Sequence, residues 1–187
     1  MPALTARLLV LTGPIAAGKS TVAARLTERL VAAGRTVACT DLDDVARLGH
    51  APGGLTAEHW TQAHTTHGVL VGALLEQPFD LVVAHGPIYD TEETAAVLAH
   101  VPPGTGVLRV LLTCALGTAQ ERVTGDPERG LSREPAFLRR THARFWDLRP
   151  GIAADLVADT GTTAVAEVCD RVETLLRPVD PAAPRRH

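Results

Sequence analysis

The sequence predicts a three-layer α/β/α domain, one five-stranded parallel sheet with helices on both faces. Three observations carry this expectation. Five short apolar runs alternate with longer segments whose apolar residues recur at helical spacing. Most of the runs are apolar nearly throughout, as strands covered on both faces are. The first run passes through a glycine-bearing loop directly into a helix, the start of a βα unit.

The elements follow in order. Residues 7–12 (RLLVLT) read as the first strand and 19–33 as the first helix, with Val22, Leu26 and Leu30 on one face and Gly34 as its stop. Residues 36–40 (TVACT) are the second strand, and a short helix starts at Asp43. After the loop 49–54 comes a long helix over 56–76. Residues 79–84 (FDLVVA) form the third strand and 91–100 a helix. Residues 106–113 are the fourth strand, 115–124 a helix, and 125–133 a loop rich in Gly, Pro and charge. A helix over 134–148 precedes a short fifth strand at 155–158. The closing helix, 163–176, places Val165, Val168, Cys169, Val172, Leu175 and Leu176 at helical spacing, with Thr162 available as its cap. Residues 1–177 are expected to form a single domain, and 178–187 a disordered tail.

Composition excludes several classes. The chain has 187 residues, 45% of them hydrophobic, enough for one domain with a real core. A net charge of −3 gives no global attraction to nucleic acid or anionic membrane. The apolar runs are too short to span a bilayer, and the start of the chain lacks a signal peptide's cleavage region, so a cytoplasmic location is expected. Cys39, Cys114 and Cys169 lie far apart in apolar runs and read as small buried hydrophobes. Oligomeric state is left open.

The chemistry starts at Gly13-Pro14-Ile15-Ala16-Ala17-Gly18-Lys19-Ser20, which fits the Walker A pattern G-x-x-x-x-G-K-[ST]. Glycines let the backbone fold around a phosphate, and N–H groups at a helix N-terminus point at the anion. Gly13, Ala16, Ala17, Gly18 and Thr21 are therefore expected to hold a nucleotide with their loop or first-turn groups. Lys19 would reach its terminal phosphates, and Ser20 would turn its hydroxyl to Mg²⁺. Lys19 is the only lysine; the other basic side chains are all arginine. A compact ammonium fits between two phosphates where a planar guanidinium does not.

What the phosphate is used for depends on the rest of the chain. A guanine-reading Asn-Lys-x-Asp element is impossible, because the chain has no asparagine and its one lysine is committed. The third strand ends VVAHGP, without the acids of a motor ATPase; the second runs into Thr40-Asp41-Leu42-Asp43-Asp44. A carboxylate there either orders water on Mg²⁺ or takes a proton from an attacking hydroxyl. Asp41 is assigned to the metal and Asp43 to the proton, while one of the two also suits a helix cap. The arginine-bearing segment 122–134 suits a lid that closes over the transferring group. Arg133 is a catalytic candidate on it.

The phosphate loop and the Asp41-Leu42-Asp43 pair resemble those of the small P-loop kinases that include shikimate kinase, gluconate kinase and chloramphenicol phosphotransferase. The likeness runs over residues 7–176 and implies the P-loop NTPase version of the fold, with ATP and Mg²⁺ as cofactors. It implies that Asp43 contacts the acceptor and Asp41 lies near the metal. It places Arg122 against adenine, Arg129 on phosphate and Thr160 in the loop along the adenine edge. It puts acceptor binding in residues 48–77, where Trp60, His64 and His67 share a helix face. His64 and His67 have metal-ligand spacing but no evident third ligand. The sequence His85-Gly86-Pro87-Ile88-Tyr89 replaces the glycine run of shikimate kinases, so shikimate itself is not expected. His85, Gly86 and Tyr89 would face the acceptor, with His85 a second acid/base candidate. The resemblance implies that an arginine of the helix 134–148, which carries Arg139, Arg140 and Arg144, grips an acidic acceptor. At most one of the adjacent Arg139 and Arg140 can face it, and Arg140 is assigned, while Phe137, Phe145 and Trp146 read as core.

The expectation is a kinase acting on an alcohol of a small molecule, a metabolite or natural product. A nucleoside or nucleotide kinase is the first alternative, and a nucleotide-binding regulator or slow ATPase the second.

Overall fold

The computed structural model describes residues 4–177, apart from the side chains of 127–129. The expected tail, 178–187, lies outside the described residues, and so does the side chain of Arg129. Five strands form the sheet: β1 (Leu8–Thr12), β2 (Val37–Asp41), β3 (Leu81–Gly86), β4 (Val107–Thr113) and β5 (Leu156–Asp159). The helices are α1 (Lys19–Ala32), α2 (Leu42–Arg47), α3 (Ala57–Leu75), α4 (Thr91–Leu98), α5 (Leu116–Thr124), α6 (Pro135–Leu148) and α7 (Val165–Leu176).

All pairings are parallel and the strand order is β2-β3-β1-β4-β5. The apolar runs are explained by position. β1 and β3 are central and buried along their whole length, and the edge strands β2 and β5 alternate. Burying a leucine such as Leu8, Leu9 or Leu11 completely contributes about 2 kcal/mol. One core lies between the sheet and the α1, α5 and α7 side, with Leu26, Leu112 and Val172. The other lies under α2, α3 and α4, with Leu42, Val71 and Val97. Helices α3 and α4 meet at backbone distance. A Cβ on Gly68 would collide with the Ala96 carbonyl, and one on Gly72 with His100.

Four details differ from expectation. β3 extends to Gly86, because it pairs with β1 at Thr12 and with β2 at Asp41. α7 starts at Val165 with Ala164 as its cap residue; Thr162 instead lies in the preceding turn, where the Gly161 amide donates to Asp159. The segment expected as a lid is not open loop but 3-10 turns over Pro127–Arg133, broken at Gly130. Cys114 and Cys169 are buried, but Cys39 on the edge strand β2 is exposed. Among the described residues, no helix is long and apolar enough to cross a membrane.

Candidate active site

In a parallel sheet of this kind, ligands sit beyond the carboxyl ends of the strands. β1 delivers the phosphate loop there. Gly13 is required: a Cβ would run into the Leu112 carbonyl of β4. Gly18, at φ 85°, turns the chain into α1 as its N-cap residue. That helix start has neither a capping side chain nor an acid in its first turn, so its N–H groups remain open to an anion. Lys19 Nζ donates to the Gly13 carbonyl at 2.9 Å and the Pro14 carbonyl at 3.0 Å, folded over the loop it serves. Ser20 and Thr21 are exposed on the first turn of α1.

The loop is braced from below. Arg122 donates to the Ala16 carbonyl at 2.8 Å and to the Thr160 hydroxyl and carbonyl at 3.0 and 2.7 Å. The buried Thr160 hydroxyl lies 3.0 Å from the Ala17 carbonyl. This corrects the expected role of Thr160. Its side chain holds the loop and does not present itself to a nucleotide. The N–H edge of Arg122 is engaged in the same way.

The carboxylates follow β2. Asp41 caps α2: its Oδ1 accepts from the Asp43 amide at 2.9 Å. Its Oδ2 lies 3.4 Å from Ser20 Oγ and 3.5 Å from His85 Nδ1. One carboxylate thus both starts a helix and faces the Walker serine. The residues fit Mg²⁺: a hydroxyl and a carboxylate oxygen converge beside the phosphate loop, an all-oxygen set suited to a hard cation that keeps water and phosphate as its other ligands. Asp43 stands on the first turn of α2 and shares a wall with Lys19. Burial pushes its carboxyl above the ordinary range, against the nearby Lys19 charge; the Asp41 charge pushes the same way as burial.

A cleft of about 780 Å³ opens in front of Lys19 and Asp43. Ile15 of the phosphate loop, Trp60 of α3, Leu131 of the lid and Phe137 of α6 give it apolar walls. Trp60, His64 and Tyr89 line it as expected sites, but two of these are already engaged. The buried His64 ring lies 2.8 Å from the Trp60 carbonyl and 2.9 Å from the Pro87 carbonyl, pinning the turn after β3 to α3. Tyr89 Oη donates to the Gly13 carbonyl at 2.9 Å, and its ring packs edge-on to Phe145.

Other assignments are corrected. His85 and Gly86 do not line the cleft. His85 is buried next to Asp41, and burial holds its ring below the ordinary pKa, toward the neutral form. The space a side chain would need at Gly86 is filled by Leu42, not by a ligand. Arg140 points elsewhere, its guanidinium 5.9 Å above the Phe137 ring; Arg144 is the α6 arginine that reaches the cleft. Arg133 is exposed and does not line the cleft; Gly130, Leu131 and Ser132 bring the lid to it. Phe137 lines the cleft and is not core. His67 is fully buried in α3, and the described residues hold no group of three metal-binding side chains.

At the polar end of the cleft, sequence reasoning missed Glu93 and passed over Arg144, one of the three arginines it named on α6, in favour of Arg140. Helical spacing carries a signal for Arg144. Leu138, His142 and Phe145 are the buried face of α6, so Phe137, Thr141 and Arg144 form the face beside it. Glu93 looks like an ordinary first-turn acid after the Asp90 cap and carries no such signal.

No family model matches the chain, and no curated protein matches it in sequence. Solved structures do match in fold. A shikimate kinase from Acinetobacter baumannii, in complex with shikimate, is 19% identical, with a TM-score of 0.60 over 91% of this chain and 93% of that one. A sugar kinase from Janibacter sp. is 17% identical, with a TM-score of 0.65 over 94% and 95%. The YorR protein from Bacillus subtilis, in complex with phosphorylated GDP, is 14% identical, with a TM-score of 0.57 over 90% and 94%. Sheet order, flanking helices and phosphate loop give this chain the shikimate kinase-like P-loop NTPase fold.

Proposed function

We propose that this protein is an ATP-dependent kinase that transfers the γ-phosphate to an alcohol of a small molecule. The observation that carries this reading is the shared wall of Lys19 and Asp43. A phosphate-holding cation and a carboxylate of raised proton affinity open into one cleft large enough for a small-molecule acceptor. The loop amides and Lys19 hold the phosphates and withdraw their charge. Ser20 and Asp41 would hold Mg²⁺, which when bound neutralises phosphate oxygens. Asp43 takes the proton of the acceptor hydroxyl as its oxygen attacks, and the acceptor remains oriented by Trp60 and Phe137. The lid residues Gly130–Ser132 exclude water, which would otherwise take the phosphoryl group. The lack of an Asn-Lys-x-Asp guanine-reading element supports ATP over GTP.

Asp43→Asn tests the assignment. Transfer to the acceptor should fall about 10²–10⁴-fold, the worth of a general base, with ATP affinity changed only a few-fold. Unchanged acceptor phosphorylation in that variant removes Asp43 from the reaction. An ADP release rate that no alcohol raises would mark an acceptor-free ATPase instead.

A further inference from the structure

The polar end of the cleft says which acceptors fit. Arg144 is the arginine placed to grip an acid there; its side chain is half-exposed, but its Nη2 already holds two carboxylates and its plane lies over a ring. Its Nη2 donates to Glu93 Oε1 at 2.7 Å and lies 3.3 Å from Asp90 Oδ2, and its guanidinium carbon sits 5.5 Å over the Tyr89 ring. Glu93 is fixed in turn. Its side chain is only 16% exposed, and its Oε2 accepts from the Tyr89 amide. Asp90 is held as the cap of α4, accepting from the Glu93 amide at 2.8 Å. Arg47, also in the lining, lies 2.6 Å from Asp44 in an exposed pair. Lys19 belongs to the phosphate loop.

An acceptor carboxylate would therefore meet arginines that already hold carboxylates. Drawing Arg144 away would strand the mostly buried Glu93 charge, and leaving it in place would set a third anion beside Glu93 and Asp90. Glu92 adds one more carboxylate to the lining. Such a wall accepts hydrogen bonds more than it donates them, and suits hydroxyls and ammonium groups. Ile15, Trp60, Leu131 and Phe137 supply the apolar surface for a ring.

We infer that the acceptor is a ring-bearing alcohol that is uncharged or carries an amine, and that Glu93, by holding Arg144, is the residue that turns carboxylate-bearing alcohols away. This rests on the kinase reading of the cleft, and it departs from what the Arg140 assignment implied.

The test uses one scaffold in three charge states: phenyl glucoside, its 2-amino-2-deoxy counterpart and phenyl glucuronide. Binding to the full chain is read by ligand-observed NMR in the presence of a non-hydrolysable ATP analogue. The glucuronide should bind about tenfold or more weakly than the other two. Phe137→Ser should weaken the neutral and amine forms together, which places them in the cleft. Glu93→Gln should narrow the gap by freeing Arg144. Arg144→Gln serves if Glu93→Gln fails to fold; it should leave glucuronide binding no weaker than in the unaltered chain. The inference is overturned by equal binding of the three probes, by preference for the glucuronide, by its selective loss in Arg144→Gln, or by binding of none at millimolar concentration. The readout needs no phosphoryl transfer. ATP turnover that no alcohol raises therefore defeats the kinase reading separately, with the charge ranking still measured.

Discussion

The phosphate loop and the cleft in front of it face each other across Lys19 and Asp43, yet they are made of different material. The loop is backbone. Its binding groups are amides at the start of α1, and side chains serve it from outside: Arg122 and Thr160 from below, Tyr89 from the side. The cleft is side chains from several elements, and its polar end is an ion-pair cluster of Asp90, Glu93 and Arg144. A backbone site tolerates change in most of its residues but not in the few that shape the chain. A side-chain site changes specificity with single substitutions and leaves the fold alone.

Four measurements would break or sharpen that contrast, from the largest effect down. Lys19→Arg keeps the charge but not the shape, and should cost on the order of 10²-fold or more in turnover with the far-UV spectrum unchanged. Activity near the original level would show that charge alone suffices at the loop.

The second concerns pH. Burial holds His67 down to about 4 from its ordinary 6.5, with the Asp41 charge opposing. Between these values the unfolded chain binds the extra proton and the folded chain does not. Stability is therefore complete above about pH 6.5 and is lost as pH falls toward 4, by up to roughly 3 kcal/mol. Denaturant melts at pH 7 and 4.5 measure it, and His67→Leu should flatten the difference.

Third, Tyr89→Phe removes a buried hydrogen bond between the two regions and should cost about 1–2 kcal/mol in the same melts. A matching rise in the KM for ATP would show that the loop takes its shape partly from the cleft side. Last, Ala16 adopts φ 62° without being glycine. Ala16→Gly relieves that strain and should stabilise by about 0.5–1 kcal/mol, visible as a small rise in Tm.

The same contrast explains what could be read in advance. Strand runs and helix faces are local patterns, and so is the Walker loop; all were legible to within a few residues. The Asp41–Asp43 pair was legible because it directly follows a strand in a sheet whose ligands gather at strand ends. The residues of the cleft's far wall were not. His85 and Gly86 read as following the third strand, but they are its last two residues, and β-pairing and Leu42 claim them for the interior. Arg140 and Arg144 have the same chemistry, and only the rotation of α6 distinguishes them. Glu93 and Arg144 lie 51 positions apart and find each other only in the folded chain.

Because the sheet is parallel throughout, the phosphate loop and the cleft both hang from one of its rims. The opposite rim includes the turn at 102–105, where the exposed Gly104 has nothing within 4 Å of where a side chain would begin. A peptide label or a surface tether inserted between Pro103 and Gly104 would hold the molecule by its back. The protein could then be anchored to a sensor chip with the phosphate loop and the cleft turned outward, so that the order in which the two proposed ligands bind becomes a measurable quantity.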